Sequence, residues 1–278
     1  MAHIALLGTG LIGSGMVEAM VGRGHTVRVW NRTEAKAEAL AARLSGVVVA
    51  ATPAAAVAGA ERVHLVLSDD AAVDAVLAGL PPIDAPIVDH STTSPAGTAA
   101  RAAALAAKGQ AFAHAPIFMS PAAAQKAAGL VLLASTAAVR ARVEPALATM
   151  TGAVWWVGER PDLAAAYKLF GNAMILTLAA GLTDVFRMGK ALGVSPTDAH
   201  ALFSHFDPTG ALKVRGAKMA AGDFTPSFET TMARKDVRLM LETVEGLELL
   251  PAVAAMLDRA IAEGHGAADV GAIAASAR

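Results

Sequence analysis

Residues 3–16 read HIALLGTGLIGSGM. An apolar run of strand type stops at Gly8, and glycine recurs at Gly10 and Gly13 as an apolar helical pattern begins. Strand, glycine turn and helix in this order constrain the fold more than any other feature of the chain. Gly8 suits the tight turn that leaves the strand. Gly10 lets a ligand come against bare backbone, and Gly13 lets the helix pack closely on its strand. A helix starting at such a turn aims free N–H groups and its positive end at an anion, so Gly8, Thr9, Gly10, Leu11, Ile12 and Gly13 read as a cradle for a pyrophosphate. The spacing alone also occurs at plain strand-to-helix turns; the flanking strand and helix give it its weight.

The first half of the chain repeats the alternation. HTVRVW (25–30), GVVVA (46–50), RVHLVL (62–67), APIVDH (85–90), AFAHAPI (111–117), LVLLAS (130–135) and AVWWVG (153–158) have strand character, and alanine-rich helical stretches separate them. Such alternation implies βαβ units, a mostly parallel sheet and right-handed crossovers. Beyond VGERPD (157–162) strand signals stop, and helices are broken at 192–196, 206–210, 221–227, 249–251 and 263–266. Ser195 and Pro196 form an N-cap and first-turn pair. The expected fold is α/β: a Rossmann-type doubly wound sheet over residues 1–160, followed without a flexible linker by an all-α domain over 161–278.

Composition narrows the function. A net charge of −1 argues against a nucleic-acid partner or a polybasic membrane contact. The absence of cysteine removes disulfides, thiolate catalysis and cysteine metal sites. His200 and His205 do not share a helical face, so no metal site is expected. The start, MAHIALLGTG, lacks a basic signal-peptide region, and no charge-free apolar run reaches the roughly 18 residues of a membrane span. A cytoplasmic location is the expectation.

The second strand ends in WNRT, with Asn31, Arg32 and Thr33 where an NAD-selective site carries a carboxylate for the ribose hydroxyls. Arg32 can pair with a 2′-phosphate, and Asn31 and Thr33 can donate to it. NADP is therefore expected over NAD. In AAAYKLFGNAMILTLAAGL (164–182) the only charge is Lys168, with Asn172 four residues on. A helix apolar nearly all round is expected to be buried. Lys168 and Asn172 share one face of it. A lysine in apolar surroundings loses solvation, which lowers its pKa and makes it a usable general acid or base.

Taken together, GTGLIGSGM, VLSDDAAVDAVL (66–77), DHSTTSP (89–95), KLFGN (168–172) and KD (235–236) resemble, in order and nearly end to end, the motifs of the β-hydroxyacid dehydrogenases. That family includes 3-hydroxyisobutyrate dehydrogenase, tartronate semialdehyde reductase and the glyoxylate/succinic semialdehyde reductases. The resemblance implies hydride exchange between NAD(P) and a small β-hydroxyacid or its semialdehyde. It also implies a helical half like the C-terminal domain of 6-phosphogluconate dehydrogenase, and a homodimer or homotetramer. By resemblance, Lys168 is the catalytic acid/base and Asn172 its partner. Leu67, Ser68, Thr92 and Lys235 contact cofactor, and Ser91 and Thr92 hold the substrate carboxylate. The chain departs from the family at APIFMSP: Phe118, Met119 and Ser120 replace a glycine-rich S-G-G, and Pro121 follows. Bulky apolar groups there are expected to line and shrink the substrate pocket. Two other readings remain open: an imine reductase, whose group carries Asp or Tyr where Lys168 stands, and a dinucleotide-binding protein without turnover.

Overall fold

The computed structural model describes residues 3–277. It divides into two compact units, 1–172 and 173–278. Among the described residues, the first unit holds β1 (His3–Leu7), α1 (Leu11–Gly22), β2 (Thr26–Trp30), α2 (Glu34–Arg43), β3 (Val47–Val49), α3 (Pro53–Val57), β4 (Ala60–Leu65), α4 (Asp70–Ala78), β5 (Ile87–Asp89), α5 (Pro95–Ala107), β6 (Phe112–His114), β7 (Ile117–Phe118), α6 (Pro121–Gln125), β8 (Gly129–Ala134), α7 (Ala137–Thr151) and β9 (Gly152–Gly158). The sheet runs β3-β2-β1-β4-β5-β6, all parallel. Then β8 takes β6 and β7 antiparallel along one edge and β9 parallel along the other. Every run read as a strand from the sequence is found here as one.

The strands are apolar on both faces because helices cover both. Side chains alternate across a strand. Ile4 and Leu6 accordingly enter one core cluster with Met16, Val27 and Val131. Ala5 and Leu7 enter the opposite one with Val63, Leu65 and Ile87. The helices start where the sequence supplies a cap. Thr52, Asp69, Ser94, Ser120 and Thr136 each accept the N–H three residues on, satisfying one of the free donors of a first turn.

A long helix, α8 (Pro161–Ala191), follows. The division between units falls inside it, at 172 rather than at 160. It is also not buried as its composition suggested. Phe170, Ile175 and Leu176 are 62%, 57% and 69% exposed, because no other described residue covers them. It is the one helix among the described residues long and apolar enough to cross a membrane by length and composition.

The second unit continues with α9 (Pro196–Ala201), α10 (Gly216–Ala221), α11 (Thr230–Thr243) and α12 (Leu250–Ala260), joined by 3₁₀ and π turns. Ser195 caps α9 through the Asp198 N–H, with Pro196 in the first turn, as the sequence indicated. Two carboxylates organise this unit. Asp184 accepts the N–H groups of Glu248, Leu249 and Leu250 at the start of α12. Asp269 accepts from Ser227, Phe228, Gly271 and Arg215.

Candidate active site

The glycine turn is built as its spacing implies. Gly8 has φ +111°, and a Cβ there would lie 2.1 Å from the Val66 carbonyl oxygen. A Cβ on Gly13 would lie 2.0 Å from the Gly8 carbonyl oxygen. Both glycines are demanded by the protein's own packing. Gly10 differs: a Cβ there would meet nothing within 4 Å. The bare backbone at the start of α1 faces open space, as a phosphate cradle requires. That space is a cavity of about 770 Å³, lined by Gly10, Leu11, Trp30, Arg32, Leu67 and Ser68 among others. Its volume suits a large ligand. The buried Thr9 hydroxyl of the same turn has no partner among the described residues. These features fit a dinucleotide.

The rim at the end of β2 is basic. Asn31 accepts the Thr9 N–H through Oδ1 and donates through Nδ2 to the Thr33 carbonyl, so it braces the glycine turn against β2. Arg32 and Thr33 are exposed on the cavity. Lys36, on the first turns of α2, lines it too. Reading the sequence missed Lys36, although NRTEAK shows a second cation four residues after Arg32. Across the cavity, Ser68 donates to Asp69, and Asp69 caps α4 through the Ala72 N–H. These hydrogen bonds, with a smaller contribution from Arg32, hold the Asp69 carboxyl below its ordinary value.

The turn after β5 is tied to the turn after β4. Ser91 is buried, and its hydroxyl accepts the Leu67 N–H at 2.9 Å. Its own N–H donates to Asp89. Thr92 is exposed beside it. Ser94 caps α5, so part of HSTTSP is a helix start. Beneath this turn lies a polar layer around the buried Arg101 that no motif announced. Arg101 donates to Asp70 and Asp74 at 2.9 and 2.7 Å, and Asp70 accepts the Ser94 N–H. The signal for it was polar side chains inside otherwise apolar strands, such as His64, Asp89 and His114.

Lys168 is half-buried on α8, and burial lowers its pKa from the ordinary lysine value. No carboxylate pairs with it among the described residues. Instead its Nζ lies 4.0 Å from the centroid of the Phe118 ring. Gly171, one turn away on α8, makes room for that ring: a Cβ there would lie 2.3 Å from Phe118 Cζ. Asn172 shares the face of Lys168. Met119 turns away from Phe118, as successive residues of an extended segment do, and packs on the cluster containing Met16 and Val131. The Ser120 hydroxyl caps α6. Of the three residues that replace the glycine loop, the structure places Phe118 against Lys168. Lys235 belongs to the second unit, on α11, and pairs with Asp236 at 2.8 Å.

The comparisons agree with this geometry. A family model described as the NAD binding domain of 6-phosphogluconate dehydrogenase matches residues 3–158. The 3-sulfolactaldehyde reductase of Escherichia coli (strain K12) is 30% identical, covering 98% of this chain and 95% of its own. Glyoxylate/succinic semialdehyde reductase 2 of Arabidopsis thaliana is 24% identical over 96% of this chain and 76% of its own. Among solved structures, a reductive aminase from Aspergillus terreus in complex with NADPH and ethyl levulinate gives a TM-score of 0.92 at 26% identity, with both chains covered in full. Sheet, glycine cradle and relatives together define an NAD(P)-dependent dehydrogenase or reductase of the kind that acts on CH–OH groups. The chain belongs to the β-hydroxyacid dehydrogenase family.

Proposed function

We propose that the protein interconverts a small β-hydroxyacid and its semialdehyde, with NADP as the preferred cofactor and Lys168 as general acid/base. The observation that carries this reading is a half-buried lysine with a lowered pKa and no carboxylate partner among the described residues, in a chain whose glycine turn leaves Gly10 open to a dinucleotide. The bound cofactor supplies or accepts the hydride. Gly8 to Gly13 hold the pyrophosphate on the α1 N-terminus. Arg32, with Asn31, Thr33 and Lys36 beside it, meets the 2′-phosphate. Leu67, Ser68 and Thr92 contact its sugars. Thr92 and the turn braced by Ser91 hold the substrate carboxylate, with Phe118 bounding the pocket. During reduction Lys168 donates a proton to the carbonyl oxygen, and Asn172 orients it; in oxidation Lys168 takes the proton back from the hydroxyl, with Asn172 orienting it as before.

Activity in the relatives supports the reaction class: the named proteins include a 3-sulfolactaldehyde reductase and a 2-(hydroxymethyl)glutarate dehydrogenase. The exposed apolar residues of α8 favour a homodimer or homotetramer that covers them. A cytoplasmic metabolic enzyme is the setting we infer. One observation favours a second reading, C=N reduction: the Phe118 ring makes the surroundings of Lys168 apolar, and the reductive aminase shares the fold. A panel of carboxylated semialdehydes, uncharged aldehydes and a cyclic imine, each with NADPH and NADH and followed at the nicotinamide absorbance, decides. Reduction of semialdehydes, fastest with NADPH, is expected. Turnover of the imine alone would replace the first reading by the second, and binding of NADPH with no turnover of anything would discard both.

A further inference from the structure

The contact between Phe118 and Lys168 reaches further than pocket size. The ring sits 4.0 Å from Nζ and is held there from two sides. Gly171 has no side chain to push it off. Behind it Gly129, at φ +138°, brings β8 so close that a Cβ would lie 2.8 Å from the Phe118 carbonyl oxygen. Phe118 packs with Leu132, Ala134 and Ala164. The strands against this part of α8, namely β7, β8 and β9, carry no titratable side chain. On α8 itself, Asp162 is engaged by Arg160, and Tyr167 packs against Trp155 and Phe170. The aromatic face is therefore a direct electrostatic partner of the ammonium, which pairs with no carboxylate among the described residues.

A ring face is electron-rich, so it attracts a cation and disfavours anions and hydroxyl oxygen lone pairs beside it. A carbonyl oxygen that takes its proton from Nζ must bring its neighbouring carbon atoms within a few ångströms of the same ring. We infer that Phe118 is a specificity-determining residue that selects, by contact with its ring, an apolar substituent on the carbon next to the reacting carbonyl, while the substrate carboxylate is left to the 91–93 turn. This inference rests on Lys168 being the proton donor.

Two measurements test it. The first needs no turnover: pH-dependent acetylation of Lys168, read by mass spectrometry. Phe118→Leu removes the ring's attraction but keeps an apolar cover, so the labelling midpoint should fall, by about half a unit to one and a half units. Phe118→Ala admits water, so the midpoint should rise toward the ordinary lysine value. Gly171→Ala, which displaces the ring without deleting it, should also move it. The second compares three semialdehydes that share a carboxylate and differ at the α carbon by hydrogen, methyl or hydroxyl. The wild type should rank methyl first and hydroxyl last in kcat/KM. Phe118→Ser should shift the methyl-to-hydroxyl ratio at least tenfold toward hydroxyl. Unmoved midpoints, or a ranking that Phe118→Ser leaves alone, overturn the inference. If the ranking shifts but Lys168→Met keeps its turnover, Phe118 still selects substrate and the proton-donor reading fails. If none of the three is reduced, both fall together.

Discussion

Nδ1 of His64 lies 2.9 Å from Nε2 of His90, inside the sheet where both rings are buried. Their neighbours allow one arrangement of protons. His90 Nδ1, 2.7 Å from the Ala115 carbonyl oxygen, must donate. His90 Nε2 then accepts from His64 Nδ1, and His64 Nε2 accepts from Arg62 at 3.1 Å. Both rings are neutral, and a proton added to either sets two donors face to face. Burial lowers both pKa values, that of His90 to about 4. The sign follows: below the unfolded-state value of about 6.5 the unfolded chain takes up protons that the native state refuses. Stability should fall as pH drops from about 6.5 toward 4, His90 alone accounting for on the order of 3 kcal/mol over that window. Urea unfolding at pH 7.5, 6.0 and 5.0 lies mostly above the range where carboxylates titrate, so a flat profile there would contradict the neutral pair. His90→Gln should lower stability at pH 7.5 and flatten the slope.

The glycines of the first turn should separate folding from binding. Gly10→Ala places its methyl in open space, so thermal unfolding should stay near wild type. The same methyl intrudes on the proposed phosphate cradle, and NADPH affinity should drop at least tenfold in a fluorescence titration. Gly13→Ala drives a methyl to 2.0 Å from the Gly8 carbonyl oxygen. It should cost more than about 2 kcal/mol, because backbone, unlike the end of a side chain, cannot move aside cheaply. Gly10→Ala with undiminished NADPH binding would remove the cradle from the proposed site.

Arg32 and Lys36 stand on one rim of the same cavity. Replacing Arg32 with a neutral residue should raise KM for NADPH more than KM for NADH. A further neutral substitution at Lys36 should widen the gap. Both effects should shrink as salt rises, because exposed charge pairs are screened within about 10 Å at 0.1 M. Equal losses with both cofactors would mean that neither cation reads the 2′-phosphate.

The strands and the glycine turn were legible because each rests on local chemistry: β-branched runs, and glycines where a Cβ cannot fit. Ser195 with Pro196 was legible for the same reason. Features that depend on distant residues were not. Apolar composition marked α8 as needing cover, yet composition does not say whether that cover comes from the same chain. Only the fold shows that Gly171 makes room for the Phe118 ring. Phe118 and Met119 looked alike as bulky replacements. Backbone alternation sends them to different clusters. The His64–His90 pair and the Arg101 layer carry no spacing signature, because their members come from strands and helices far apart in the sequence.

Lys168→Met gives the most direct test of the chemistry. Methionine keeps the length and apolar character of the side chain, and Lys168 has no carboxylate among the described residues whose charge would be left unpaired. The variant should fold. NADPH should still bind, because the cavity of the glycine turn is lined by other residues. Turnover should fall by roughly 10² to 10⁴, the usual worth of a positioned general acid. Asn172→Ala should lose less, since it orients the proton donor and transfers nothing. The wild-type pH profile should contain one ionisation, below the ordinary lysine range, that is absent from Lys168→Met. Near-normal turnover in Lys168→Met would assign the proton to another donor, with Tyr167 the first to examine. Loss of NADPH binding along with turnover would instead make Lys168 a cofactor ligand.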